Sequence, residues 1–286
     1  MENQPESPSR RKMLAGAAVA AAVACKRTPA LQVLDHVRVH RVEGELPRDD
    51  PGASAWDFAS EHEGSLAPQN IVAPMLQQPS VNRVKVRALH DGAWVAFRLN
   101  WADSAGDNLQ GPSRFCDAAA VQVPRDPRDE PSVMMGHPNA AVRILLWKAA
   151  WQVPDMVGAL HPNRPPPFYP FEAAQGEARG TMEQQYGPAR NVHNPNLHRP
   201  LGVPVVLAEA EQFGTLTGLL AQSLAGRGVY AEGRWSVVLA SPFESLGTAV
   251  RPGRESKIAF ALWEGAAQNI GARKMRSEQW IRMVLA

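Results

Sequence analysis

This chain of 286 residues has little cysteine, little excess charge and no long apolar run. Its two cysteines, Cys25 and Cys116, supply neither a disulfide framework nor a four-cysteine zinc site. No C-x-x-C-H occurs, which excludes a covalently attached c-type haem on the usual motif. Lys and Arg number 30 against 28 Asp and Glu, a net charge of +2, too weak a field for a nucleic-acid partner. G-x-S-x-G, G-x-G-x-x-G and G-x-x-x-x-G-K-[ST] are all missing, so neither a serine-hydrolase elbow nor a phosphate cradle can be placed. There is no internal repeat.

What is present suffices for a sizeable core. Hydrophobic residues make up 44% of the chain and charged ones 20%, which excludes wholesale disorder and suits one large domain or two small ones. The 22 glycines and 25 prolines favour turns over long helices.

Residues 1–24 read as an export signal. Arg10, Arg11 and Lys12 precede an apolar run from Met13 to Ala24, shorter than the roughly 20 residues a bilayer span needs but the length of a signal-peptide apolar region. Ser9 to Leu14 resembles a twin-arginine signal, a route that carries folded proteins across the bacterial inner membrane into the periplasm. Three readings of its end fit: cleavage after Ala22-Val23-Ala24, a lipid anchor on Cys25, or an uncleaved amphipathic tail. Residues 25–50 are polar, without a strong period, and read as a leader.

The domain proper, residues 51–286, is expected to be an all-β antiparallel sandwich with a few short helices. Val84–Leu89 alternates, His90-Asp91-Gly92 supplies a turn, and Trp94–Trp101 follows as the second arm of a hairpin. Ala118–Val123, Ala141–Trp151, Trp235–Ala240 and Lys257–Trp263 are further apolar runs. Residues 160–204 hold nine prolines with His161, His193 and His198; they read as a long insertion, either a stapled surface loop or a lid. Pro74–Gln78 reads as one helical turn. Residues 207–225 are apolar enough for a helix, which Gly214, Gly218, Thr215 and Thr217 weaken.

Most candidate chemistry reads as ordinary structure. His36 and His40 lie four apart, but no zincin motif or supporting cysteine accompanies them. Asp103 with Asp107, and Asp126 with Asp129 and Glu130, read as solvated turn caps. The eight tryptophans could stack on sugars, but most lie inside apolar strands and read as core. Met134-Met135-Gly136 and Gly271–Ser277 are uninformative taken singly.

In order along the chain, these strings resemble the haem-binding family typified by the gamma subunit of ethylbenzene dehydrogenase, which includes small subunits of related periplasmic molybdenum enzymes. The matching blocks are Val84–Asp103, Phe115–Pro124, Met134-Met135-Gly136 with Val142–Ala149, Gly233–Leu239, Lys257–Gly265 and Gly271–Trp280. The resemblance implies one non-covalent haem b with methionine and lysine as axial ligands. By motif these are Met135 and Lys274, with Met134, Lys257 and His137 as runners-up. It further implies electron transfer between molybdenum and iron–sulfur oxidoreductase subunits and a periplasmic acceptor, with no catalysis on this chain alone. A thioether suits haem iron, and a lysine can ligate only once burial or the ferric charge removes its proton. Where the family often has an arginine after the Gly-x-Trp strand, Ala240-Ser241-Pro242 stands here, a departure that bears on a propionate contact or a partner surface. The alternative from residues alone is a haem-free sandwich module for carbohydrate or a partner protein.

Overall fold

The structure, a computed structural model, describes residues 33–109, 114–152, 203–219 and 223–286. The signal segment, Cys25 and most of the proline-rich insertion, with its three histidines, lie outside the described residues. Among the described residues, fifteen strands account for nearly all of the regular structure, with three short 3-10 turns at Ser54–Phe58, Ala149–Trp151 and Phe243–Leu246. Among the described residues no helix is long and apolar enough to cross a membrane.

The strands are β1 (Val33–Leu34), β2 (Val37–Arg41), β3 (Glu61–Ser65), β4 (Ala67–Pro68), β5 (Arg83–His90), β6 (Trp94–Ala102), β7 (Ala118–Pro124) and β8 (Val142–Lys148). After the insertion come β9 (Val205–Ala210), β10 (Thr217–Gly218), β11 (Ala225–Ala231), β12 (Arg234–Pro242), β13 (Glu255–Trp263), β14 (Met275–Arg276) and β15 (Ile281–Leu285). They form one continuous sheet in the order β10-β9-β8-β7-β13-β15-β2-β5-β6-β12-β11, folded over on itself into a sandwich. The strand β13 joins the two layers. Its first half, Glu255–Ile258, pairs with β15, and its second, Ala259–Trp263, pairs with β7.

Alternation explains the layering. On β6 and β12 the odd-numbered residues Val95, Phe97, Leu99, Trp101, Trp235, Val237 and Leu239 point inward, where they meet Val121, Leu145, Trp147 and Leu262 of the other layer. The centre is aromatic. Trp147 lies edge-on to Trp235 with ring centres 5.0 Å apart, and Trp101 stacks on Trp235 at 6.3 Å. Gly228 on β11 makes room for this: a Cβ there would sit 2.3 Å from the Trp147 ring. Gln152 then accepts from the Trp147 indole at 2.9 Å and pairs with the backbone of Gly228.

Each apolar run read as a strand contains one, although Ala141–Trp151 ends in a 3-10 turn at Ala149–Trp151, and the β5–β6 hairpin closes as expected, with Asp91 Oδ1 accepting from Ala93 and Trp94. Three expectations need correction. First, Val37–Arg41, read as part of a leader, is an internal strand lying parallel to both β15 and β5, with Val37 and Val39 fully buried. Its five-residue alternation is short and both neighbours are remote in sequence, so no local signal marks it. The sheet is therefore mixed rather than purely antiparallel. Second, 207–225 forms no helix among its described residues. It belongs to β9, a turn in which the Thr215 hydroxyl accepts from Glu211 and Gln212, β10 and the start of β11. Third, Pro74–Gln78 makes no helical turn.

Candidate functional site

A cavity of about 520 Å³ opens on the outer face of the β7–β8–β13 layer, within the size range of small-molecule and cofactor sites. The register builds its floor. Across the three strands, Lys148, Ala118 and Trp263 form one row; Leu146, Ala120 and Ala261 the next; Ile144, Gln122 and Ala259 the third. Four alanines at the middle of this grid leave a shallow, apolar surface, walled by longer side chains. Residues one position along, Ala119, Val121, Leu145, Trp147, Phe260 and Leu262, face the sandwich interior instead. Loops around Gln69–Ala73, Val133–Met135, Phe213–Leu216 and Asn269–Lys274 roof the floor.

Two of these loops bring Met135 and Lys274 together. The Lys274 Nζ donates to Met135 Sδ at 3.9 Å and lies 5.0 Å from the centre of the Trp263 ring. Burial pushes the Lys274 amine down to about 8, and the Arg276 cation adds to the shift. A lysine in this state loses its proton at modest cost, which makes its nitrogen available as a donor.

The supports of these two residues account for the motifs around them. Met135 sits at φ 70 and Gly136 at φ 79, consecutive left-handed residues. A Cβ at Gly136 would lie 2.8 Å from the carbonyl oxygen of Ala140 and 3.0 Å from that of Ala210, so only glycine fits. Gln122 donates from Nε2 to the carbonyl of Val133 at 3.0 Å, and the Trp280 indole donates to that of Pro131 at 2.8 Å. Both contacts hold the methionine loop from below. On the lysine side, Ser277 exchanges two hydrogen bonds with the backbone of Phe260, pinning the segment after Lys274 to β13. Gln69, which is 1% exposed, donates to the carbonyls of Val72 and Ala272 and accepts from the amides of Ile71 and Val72, while its own amide donates to the Lys274 carbonyl.

The runners-up fall elsewhere or play lesser parts. Met134 also lines the cavity. His137 is exposed, its Nδ1 within 2.8 Å of the Pro138 carbonyl, and it does not line the cavity. Lys257 is outside the cavity too, with its amine 3.5 Å from Glu130. Ala240, Ser241 and Pro242, where the family often has an arginine, are likewise not part of the lining.

Other candidates are absorbed by the fold. Asp103 is a correction: it is buried, accepting from the Trp101 indole at 3.3 Å and the Ala105 amide at 3.1 Å, rather than a solvated cap. Asp117, at the entry to β7, is fully buried and accepts from the Trp235 indole and from the amides of Gly265 and Asp107. Burial raises Asp117 to about 7, with Asp103 adding to the rise. It raises Asp103 to about 6, with Glu264 and Asp107 adding to the rise. Among the described residues no group of three or more His, Cys, Asp or Glu is placed to hold a metal ion. Trp101, Trp147 and Trp235 are buried on apolar strands as expected, while Trp56 and Trp151 are buried from 3-10 turns.

Four features of the site escape sequence reasoning: the alanine floor, Trp263, Lys148 and Gln69. The floor does leave a trace, because Ala118, Ala120, Ala259 and Ala261 recur with period two in otherwise bulky strands. Gln69 leaves none.

Comparison with known proteins adds the following. Residues 53–275 match the sequence pattern of the ethylbenzene dehydrogenase family. A respiratory nitrate reductase heme subunit, so named, of Haloferax mediterranei is 23% identical over 248 residues, covering 85% of this chain and 71% of that one. Among solved structures, a carbohydrate-binding protein of Bacteroides uniformis is 8% identical, covering 89% of this chain and 99% of its own, with a TM-score of 0.43. A family 9 carbohydrate-binding module of Caldicellulosiruptor kristjanssonii, solved with cellotriose, is 8% identical over 87% and 93%, with a TM-score of 0.38.

Proposed function

The chain belongs to the ethylbenzene dehydrogenase family, and from that premise we propose that it is a haem-binding electron-transfer subunit of a respiratory or related oxidoreductase. In this reading it holds one haem b without covalent attachment, Met135 and Lys274 fill the two axial positions, and catalysis resides on other subunits. Its partners are molybdenum and iron–sulfur subunits and a periplasmic acceptor. The basic-then-apolar segment before Cys25 supports export by the twin-arginine route, ending in release or in a lipid anchor on Cys25. The name of the Haloferax relative supports the haem and the respiratory context.

The single observation that carries this reading is the meeting of a thioether and a deprotonatable amine, 3.9 Å apart, inside an apolar cavity. The donor set fits haem: a soft neutral sulfur and a nitrogen donor are suited to its iron. The small side chains of Ala118, Ala120, Ala259 and Ala261 leave apolar room beside the two ligand loops for a bulky ring. A bound haem supplies one-electron chemistry. Met135 and Lys274 would hold the iron between them, which would suit the group to electron transfer rather than to binding oxygen or substrate. Gln122, Trp280, Ser277 and Gln69 fix the two ligand loops, which would keep both ligands in place whatever the charge on the bound group.

The test is a reduced-minus-oxidised spectrum of the purified chain expressed with haem supply. Sharp low-spin b-type bands are expected, and Met135→Ala or Lys274→Ala should shift or abolish them. Absence of the bands overturns the haem reading; bands unchanged in both variants overturn the ligand assignment.

A further inference from the structure

Four carboxyl groups gather at one end of the sandwich. Asp103 follows β6, Asp107 lies in the loop after it, Asp117 precedes β7 and Glu264 follows β13. Asp103, Asp117 and Glu264 are buried. Asp117 Oδ1 accepts from the Gly265 amide at 2.8 Å, and its Oδ2 accepts from the Trp235 indole at 2.8 Å and the Asp107 amide at 2.7 Å. Among the described residues, the donors that reach Asp103 and Asp117 are neutral N–H groups. Two further oxygens, Asp107 Oδ2 and Glu264 Oε2, are buried with no hydrogen-bond partner. Buried carboxylates beside one another are costly as anions, and a proton taken up by the group relieves that cost.

The group adjoins the cavity by chain and by register. Ala118, next to Asp117, and Trp263, next to Glu264, face each other in the first row of the floor. The Trp263 ring in turn lies 5.0 Å from the Lys274 amine. Asn269 lines the cavity, and its Oδ1 accepts from the Glu264 amide at 3.2 Å. The other polar neighbours come from each surrounding element. Lys148 on β8 pairs in register with Ala118, and its cation opposes protonation of the acids. Burial pushes the Cys116 thiol up, which keeps it neutral. The Tyr230 hydroxyl on β11 donates to the Asp103 carbonyl at 3.1 Å. Arg114, Glu232 and Arg234 are exposed to solvent.

Resting on the haem reading, we propose that Asp103 and Asp117 couple proton uptake to electron uptake at this site, so that its reduction potential depends on pH. The electron comes from a one-electron donor and turns ferric iron ferrous. The proton comes from water and forms one O–H bond on the pair; no other bond changes. An added electron makes the interior more negative, and in a low dielectric a neighbouring carboxylate answers by binding a proton. Burial already raises Asp117 to about 7 and Asp103 to about 6. Below those values the pair is protonated in both redox states, and the potential is level. Above them reduction must bring a proton in, and the potential falls as pH rises.

The test is a spectroelectrochemical titration of the haem-loaded full chain from about pH 5 to about pH 9. The wild-type midpoint should be level at the acid end and then fall through neutrality. The limiting slope is tenfold in the reduction equilibrium per pH unit, or about 59 mV. Asp117→Asn should remove most of the slope and hold the midpoint near the acid-end value of the wild type; Asp103→Asn should remove a smaller part. A second readout needs no variant. The reduced-minus-oxidised infrared spectrum of the wild type should gain a carboxylic-acid C=O band that moves when the chain carries isotope-labelled aspartate. A wild-type midpoint independent of pH, a slope kept whole in both variants, or a spectrum with no aspartate band overturns the inference and leaves the haem reading standing. A chain that binds no haem fails the haem reading itself, and the inference falls with it.

Discussion

The two layers of the sandwich each carry a patch of small residues on the outer face, and the chain covers them differently. On the β5–β6–β12 layer the patch is the row Leu89, Ala96 and Ala240, beside Val238. The chain fills it itself: Trp56, fully buried, lies there with Leu46 and Ala59. Its indole donates to the Asp50 carbonyl at 2.9 Å, and the Arg98 guanidinium lies 5.6 Å from its ring. On the β7–β8–β13 layer the patch is the four-alanine floor, and among the described residues no tryptophan from the loops above it is buried on it as Trp56 is on the other. A cavity of about 520 Å³ is left instead. Small residues on a strand face leave room above them for a large group. On the first layer an aromatic ring of the chain itself covers the patch; on the second, the proposed haem would.

The comparison breaks most visibly at Trp56. Replacing Trp56 by Ala should cost about 3–5 kcal/mol of stability in urea unfolding, the range for emptying a buried aromatic site, while leaving haem affinity of the folded fraction nearly unchanged. Equal damage to haem binding would mean that the two seats are coupled.

Next in size is a pH effect on the ties behind the cavity floor. Asp117 and Asp103 titrate at about 7 and about 6 in the folded chain against 3.8 for the ordinary side chain, burial being the main cause in each. Between about pH 4 and those values the folded state therefore holds more protons than the unfolded one. Stability from these groups is full below about pH 4 and falls as pH rises through 6 and 7, by about 1.4 kcal/mol per pH unit for each proton involved. Asp117→Asn should flatten that slope; an unaltered slope would show that other groups set it.

The third test falls on the methionine loop. Gly136→Ala places a Cβ 2.8 Å from the Ala140 carbonyl at φ 79, which should cost on the order of 1–3 kcal/mol and weaken haem retention together with stability. An alanine tolerated in both measurements would remove the left-handed turn from the account of Met135.

Smallest in stability is Ala261→Leu. The added methyl groups grow into open cavity rather than into packed interior, so thermal stability should move by less than about 1 kcal/mol. Haem binding should be lost, because the larger side chain fills part of the cavity. The same enlargement at Ala240, under Trp56, should instead destabilise the fold by about 1–3 kcal/mol by overpacking. That pair of variants puts the two seats side by side.

How far the sequence revealed this follows the range of each signal. The β5–β6 hairpin was legible because Asp91-Gly92 joins two alternating arms locally. Met135 and Lys274 were reachable only through the resemblance of blocks in order, since each string alone looks like a turn or a chain end. The structure places their side chains in contact across 139 positions of sequence. The strand Val37–Arg41 was missed because its partners, Met283–Leu285 and Ala88–His90, are parallel and distant. Asp103 was misread because its polar neighbours hid the aromatic interior it enters, where Trp101 meets it. Lys148 and Gln69 carry no motif at all. Their roles come from lying on the cavity side of the sheet and beneath the lysine loop, which only the register and the loop path reveal.

The central claim is that the outer seat on the β7–β8–β13 layer takes a haem between Met135 and Lys274. A crystal structure of the haem-loaded chain tests it most directly. The account predicts iron between Met135 Sδ and Lys274 Nζ, with the macrocycle in the cavity floored by Ala118, Ala120, Ala259 and Ala261. Iron held by any other pair of side chains, or a haem bound away from this floor, would contradict it.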